Sequence, residues 1–336
     1  MITMNKKLSL LFLSACCAGI SGRTILTEFP EASISNGIVQ AQFYLPDAQK
    51  GYYRGTRFDW GGAMSALNFD GHSYCSQWFE KYEPTMHDAI MGPVESFAPI
   101  GYEDARPGDT FVQIGVGTLV KPKEDFYTFS KYYTISNHGE WKTKKKTSSI
   151  TFTHILRDSI CSYEYEKDIS LLKGKPVMVL THLLKNTGTK IIRTNVYDHN
   201  LLVLDQQPTG PDFKVKFPFA ISYNENEMIG LGKDSVATVH GSEIFFNRVP
   251  AKGKKDHVYS ALNGYTQSEK DYDIKIENHK TGAAVRINSN RPMMHLAFWA
   301  SSNIFSPEPY IDIQVKPGES FEWKISYEFY DCKTQQ

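Results

Sequence analysis

A single all-β domain of large packed antiparallel sheets is the fold that three features of this 336-residue chain predict. Aromatic residues make up 13% of it, with 19 Tyr and 20 Phe, and flat side chains favour pleated surfaces. Period-two alternation of apolar and polar residues recurs along the chain. Gly, Asn and Pro punctuate those runs, whereas helical spacing is scarce: only "PTMHDAIM" offers two turns, with Thr85 as a cap. A hydrophobic fraction of 41% supports a core, and 22% charged residues argue against disorder.

From the N-terminus, Lys6 and Lys7 precede the apolar run "LSLLFLSA", which ends at Cys16. The run is about half the ~20 residues of a membrane-spanning helix, so residues 1–15 read as an export signal. "LSAC" resembles the bacterial lipobox and makes Cys16 the expected lipid-modified residue; ordinary cleavage within "CCAGISG" is the alternative. The chain is thus expected to be exported, periplasmic or lipid-anchored in the cell envelope. Removing the signal leaves 35 basic against 37 acidic residues. A near-neutral chain has no long-range field for nucleic acid, and the anchor is its one expected membrane contact.

The domain is expected over 30–332. Early in it, "GYYRGTRFDWGGAMSALNFDGHSY" combines Arg57, Asp59, Trp60 and His72 with Gly61 and Gly62, which permit close backbone approach. Arg57 and Asp59 serve either as a structural ion pair or as sugar-hydroxyl ligands. "YEPTMHDAIMGPVESF" adds His87, Asp88 and Glu95, and "KTKKKTSS" and "AKGKKD" read as solvated hairpin tips. Cys75, Cys161 and Cys332 are too far apart for a metal motif. They allow one disulfide, and nothing selects a pair over three buried thiols.

"PVMVLTHLL" and "KIIRTNVYDHNLL" flank "KNTGT", a turn-like link, and are expected to form a hairpin. In that register His182 opposes Arg193, Leu180 opposes Asn195 and Met178 opposes Tyr197. His182, Arg193, Asn195, Tyr197 and His199 then share one face. That reads as the floor of a polar cleft or as a solvated face. "DIKIEN", "GAAVRIN" and "HLAFWAS" continue the strands, and "SFEWKISYEFY" alternates Phe321, Trp323, Ile325, Tyr327 and Phe329 against polar neighbours. Between them, in "SPEPYIDIQVKPGESFEW", Glu308 lies between Pro307 and Pro309, which restrict the backbone to extended conformations. No GxSxG, GxxxxGK[ST] or HExxH motif occurs, so serine hydrolase, nucleotide and zinc-protease chemistry are not indicated.

The order of three of these stretches, "TRFDWGG", "LTHLLKNTGTKIIRTNVYDHNLL" and "SPEPYIDIQVKPGESFEWKISYEF", resembles the aldose 1-epimerase (galactose mutarotase-like) superfamily. The resemblance implies a single-domain β-supersandwich that acts on a mono- or oligosaccharide without metal or organic cofactor. It places the general acid on His199 and the general base on Glu308, facing one cleft about a pyranose ring apart. Arg57, His72, His87, His182, Arg193 and Asn195 are candidate sugar ligands. So is Asp271, which with Asp273 lies where a family aspartate is expected. The family's second histidine, usually in an "HG.aR" motif, is missing from the corresponding "FVQIGVGTL", with His72 and His87 as possible substitutes. Export favours neutral or polysaccharide-derived sugars over sugar phosphates. Two alternatives stand beside epimerase chemistry: a non-catalytic carbohydrate-binding lipoprotein, and lyase or hydrolase chemistry on the same scaffold. Retaining hydrolysis would need a second carboxyl, such as Glu95 or Asp205, roughly 5 Å from Glu308.

Overall fold

Alternating burial along the strands builds two opposed sheets. In Ser320–Asp331, Trp323, Ile325, Tyr327 and Phe329 all point to one apolar layer. In Ile304–Val315, Ile311, Ile313 and Val315 do the same from the opposite side. The computed structural model describes residues 29–251 and 256–334. The export signal, Cys16 and most of "AKGKKD" lie outside the described residues.

The larger sheet has ten strands, with Val177–Asn186 and Ser320–Asp331 paired near its middle. The smaller has six, in the spatial order Ser222–Tyr223, Val258–Asn263, His295–Ser301, Ile304–Val315, Ile192–Leu201 and Gly92–Phe97. Neighbours within both are antiparallel. Sheets of four and three strands, from residues 31–75 and 110–137, complete the fold.

Two apolar cores result. One fills the space between the two large sheets and holds Leu180, Val196, Phe298, Ile313 and Tyr327. The other lies on the outer face of the six-stranded sheet, where Tyr53, Phe58, Trp60, Phe111 and Tyr133 pack on Val94, Leu201 and Ile304. N-terminal segments therefore roof one half of that face, over the strands Gly92–Phe97 and Ile192–Leu201.

The strands on either side of "KNTGT" do not form a hairpin. Val177–Asn186 pairs with Tyr163–Leu171 and Ser320–Asp331 in the ten-stranded sheet. Ile192–Leu201 pairs with Gly92–Phe97 and Ile304–Val315 in the six-stranded one. The link is an arch between sheets, pinned by the Asn186 amide, which donates to the carbonyls of Lys190 (2.7 Å) and Val315 (2.9 Å). The hairpin register would have set buried Leu180 and Leu184 on one face with exposed Ile191 and Arg193. The arch lets both strands turn their apolar faces into the shared core. "PTMHDAIM" forms turns rather than a helix. Cys75, Cys161 and Cys332 are free, buried thiols.

Candidate functional site

The strand Ile192–Leu201 has two chemically different faces. Val196, Asp198 and Asn200 point between the sheets, while Asn195, Tyr197 and His199 point outward. Its ladder with Ile304–Val315 runs from Ile192–Val315 to Tyr197–Tyr310 and returns only at the Leu202–Phe305 bridge. In the gap stand Pro307 and Pro309, which have no N–H to give, and the Asn200 side chain takes over by donating to the Pro307 carbonyl at 2.8 Å. Glu308 thus sits mid-strand rather than on a loop, directly across from His199.

His199 Nε2 is 3.2 Å from Glu308 Oε1, in contact rather than a pyranose width apart. The pair is 4% and 6% exposed. Phe58 and Trp299 meet the imidazole edge-on, at centroid distances of 5.4 and 5.8 Å. Arg57 donates from Nη2 to the Tyr197 hydroxyl at 2.9 Å, and Tyr197 stacks on Tyr310 at 4.6 Å. The guanidinium lies over the rings of Phe58 and Phe129, 4.5 and 4.3 Å from their centres.

Burial dominates the titration of both groups. It pushes Glu308 up to about 7, against the opposing pull of Arg57. Burial, and then the Arg57 charge, hold His199 well below the ordinary imidazole value. The carboxyl therefore carries a proton below about pH 7, while the imidazole beside it is neutral. This is the reverse of the acid on His199 and the base on Glu308 that the resemblance implies. Three buried polar atoms here have no hydrogen-bond partner among the described residues: His199 Nδ1, Arg57 Nε and the hydroxyl of Ser306, two residues before Glu308 on the same face. Unpaired buried polar groups cost about 1–3 kcal/mol each.

The other expected ligands scatter. His87 stands at the rim, edge-on to Phe129 at 6.1 Å and 3.6 Å from Asp88. Asn195 and Arg193 lie farther along the His199 face. The exposed Arg193 donates to Gln314 at 3.2 Å and lines a groove with Asp312 and Phe321. His72 is tied to Asp205 at 2.8 Å. Asp271 accepts from Thr266 N and Oγ1 and braces its own loop, and Asp273 pairs with Arg286. His182 belongs to the inter-sheet core because its strand lies in the other sheet.

There His182 Nε2 meets Glu95 Oε1 at 2.5 Å, and Lys167 bonds Glu95, Asp59 (2.9 Å) and the Gly61 carbonyl (2.5 Å). Burial opposes ionisation of Glu95, but Lys167 and His182 outweigh it and hold the carboxyl down at about 2. Asp59 is thus the partner of Lys167, not of Arg57. Close approach explains two glycines here. A Cβ on Gly62 (φ +92°) would sit 3.1 Å from Lys167 Nζ, and one on Gly115 (φ +78°) 2.8 Å from Asp59. Since Asp59 N also donates to the Glu95 carbonyl at 2.9 Å, the cluster fixes the segment that carries Arg57. Neither Glu95 nor Asp205 is offered to Glu308 as the second carboxyl of a retaining hydrolase. No local signal marks the Lys167 cluster, because its members come from strands of two sheets and from the Asp59–Gly61 loop. Trp299 and Tyr310 share the parity of the site, but parity alone does not tell which strands are neighbours.

No protein-family model and no curated protein matches this chain. Solved structures do. A candidate aldose 1-epimerase of Escherichia coli K12 is 13% identical, over 90% of this chain and 99% of that one, with a TM-score of 0.51. A galactose mutarotase related enzyme of Lactobacillus acidophilus is 12% identical over 89% and 97%, at 0.53. A protein of Synechocystis sp. PCC 6803 is 11% identical over 90% and 96%, at 0.55. Identities this low speak for the fold alone. The described chain has the galactose mutarotase-like fold, an antiparallel β-sandwich spanning nearly the whole length of those neighbours.

Proposed function

We propose that the protein acts on the reducing end of a neutral sugar, exchanging its α and β anomers through His199 and Glu308. The observation that carries this reading is the His199–Glu308 contact on the outer sheet face, with unpaired polar atoms around it. Anomer exchange needs one group to take the O1 proton and another to protonate the ring oxygen as the C1–O5 bond breaks. Rotation about C1–C2 and the reverse steps then give the other anomer. Positioned acid–base pairs contribute about 10² to 10⁴ in rate.

In the form that carries the proton on Glu308, populated below about pH 7, Glu308 is the donor to O5 and His199 the acceptor from O1. Ring opening converts the neutral pair into carboxylate and imidazolium, and Arg57 favours the carboxylate as it forms. The return step uses the opposite roles, those the sequence resemblance implies. The exported location remains part of this proposal, and it favours sugars without phosphate. Arg57 is already engaged with Tyr197 and two aromatic rings.

A non-catalytic sugar-binding role is the second reading. It is favoured by the 3.2 Å contact, since a pyranose must part the pair before it reaches both groups. NMR exchange spectroscopy of free aldohexoses with wild type and Glu308→Gln separates the two. Faster anomer exchange that disappears in the variant supports the enzyme; binding without acceleration selects the second reading.

A further inference from the structure

Asn200 follows His199 in the chain, but its side chain points the other way, into the space between the large sheets, where it is fully buried. Its Nδ2 donates to two main-chain carbonyls, that of Asp198 at 3.1 Å and that of Pro307 at 2.8 Å. Those are the carbonyls immediately before His199 and immediately before Glu308. One amide group therefore ties the two strands together at the residues that carry the pair. From the opposite sheet, the buried Tyr327 hydroxyl touches Asn200 Oδ1 at 2.7 Å and also touches Asp198 Oδ2. Asp198 Oδ1 has no hydrogen-bond partner among the described residues.

Hydrogen counting fixes where the protons of this chain lie. Turning the Asn200 amide over would set its oxygen against two carbonyl oxygens, so Oδ1 is the atom that faces Tyr327. An amide oxygen only accepts, and the phenol has one hydrogen to give it. The contact between the phenol oxygen and Asp198 Oδ2 then lacks a hydrogen unless the carboxyl supplies it. We infer that Asn200 and Tyr327 are positioning residues for the His199–Glu308 pair, and that a proton held on Asp198 orients them. Hydrogen bonds then run from Asp198 to Tyr327, from Tyr327 to Asn200, and from Asn200 to the backbone beside Glu308. The surroundings of Asp198 agree. Burial, and then the Glu95 charge, push its carboxyl up to about 8, against the Tyr327 hydroxyl and Lys167. Tyr165 and Tyr272 are the other titratable groups that face it, and His182 stands behind Glu95. Ionised, Asp198 would draw the phenol hydrogen to itself and leave Asn200 Oδ1 without a donor. The use of the pair in catalysis rests on the anomer-exchange reading above, whereas the proton count does not.

NMR titration of the full chain tests this. In the wild type the Asp198 carboxyl should stay protonated at neutral pH, and the Asn200 side-chain amide signal should shift with its ionisation near pH 8. A carboxyl already ionised at neutral pH, or an Asn200 signal that ignores its titration, would overturn the proton chain, and this measurement needs no variant. Tyr327→Phe should bring the Glu308 midpoint from about 7 down toward its ordinary 4.5, as the pair loosens and water reaches the carboxyl. It should also slow anomer exchange by at least about tenfold in kcat with KM little changed, since small misplacements of reacting groups are costly. Tyr272→Phe, which removes an unpaired buried hydroxyl from the same core, should move neither quantity. A Tyr327→Phe protein that loses stability but keeps the wild-type Glu308 midpoint would make Asn200 and Tyr327 structural only. A wild type without anomer exchange would remove the catalytic reading, and the Glu308 midpoint would still decide the positioning.

Discussion

Glu308 faces His199 across two neighbouring strands at the point where prolines interrupt their ladder, and the two side chains touch at 3.2 Å. The backbone gap and the proton pair have one cause. Pro307 and Pro309 cannot donate, Asn200 replaces one lost bond, and the side chains between them converge on the outer face.

Opposite pH slopes of stability should follow from this pair. Glu308 rises from 4.5 unfolded to about 7 folded, so the folded state binds the extra proton and stability falls as pH climbs through that window. The full effect is on the order of 3 kcal/mol. His199 is depressed from 6.5, so its contribution is complete above that value and is lost as pH falls below it. The two offset each other in the wild type. Thermal unfolding from pH 4.5 to 8 should show stability rising with pH up to about 6.5 in Glu308→Gln and falling up to about 7 in His199→Gln. Identical slopes in the two variants would contradict the assignment.

Arg57 acts on both members of the pair, lowering each. In Arg57→Met the Glu308 carboxyl should titrate higher and the His199 imidazole also higher than in the wild type, by ¹³C and ¹⁵N NMR. Anomer exchange should slow, because the forming carboxylate loses its cation. Tyr197→Phe, which removes the 2.9 Å bond to Arg57 and the hydroxyl's contact with Ser96, should cost about 0.5–1.5 kcal/mol in stability.

Lys167 bridges Asp59 and Glu95 in a fully buried cluster in which His182 is a further partner of Glu95. Lys167→Met strands two carboxylates and should destabilise by about 3–5 kcal/mol in denaturant unfolding. Adding Asp59→Asn and Glu95→Gln should recover most of that, since neutral groups need no counter-charge. A triple variant as unstable as the single one would mean that packing, not charge, is what Lys167 supplies.

Much of this architecture is legible in single strands and little of it in their partnerships. Period-two alternation marks Ser320–Asp331 and the outward set Asn195, Tyr197 and His199 correctly, because side-chain parity is a local property. The "KNTGT" link reads equally well as a hairpin turn or an arch. The choice is made by which faces must share a core, and that put His182 in the wrong place. Arg57 and Glu308 come together through segments 251 residues apart, and the three-stretch resemblance carries that where local pattern cannot. Asp271 braces its own loop through Thr266, a role that spacing in the sequence cannot distinguish from that of a ligand. Glu95 is named in the sequence as a candidate carboxyl, but its partners Lys167 and His182 are not legible there because they lie on strands of the other sheet.

Where the His199–Glu308 pair keeps its proton is measured most directly by ¹³C NMR titration of the Glu308 side-chain carboxyl in the folded chain. A midpoint near pH 7, with the imidazole neutral throughout, is the result this site predicts. A carboxyl already ionised below pH 5 beside a protonated His199 would contradict it.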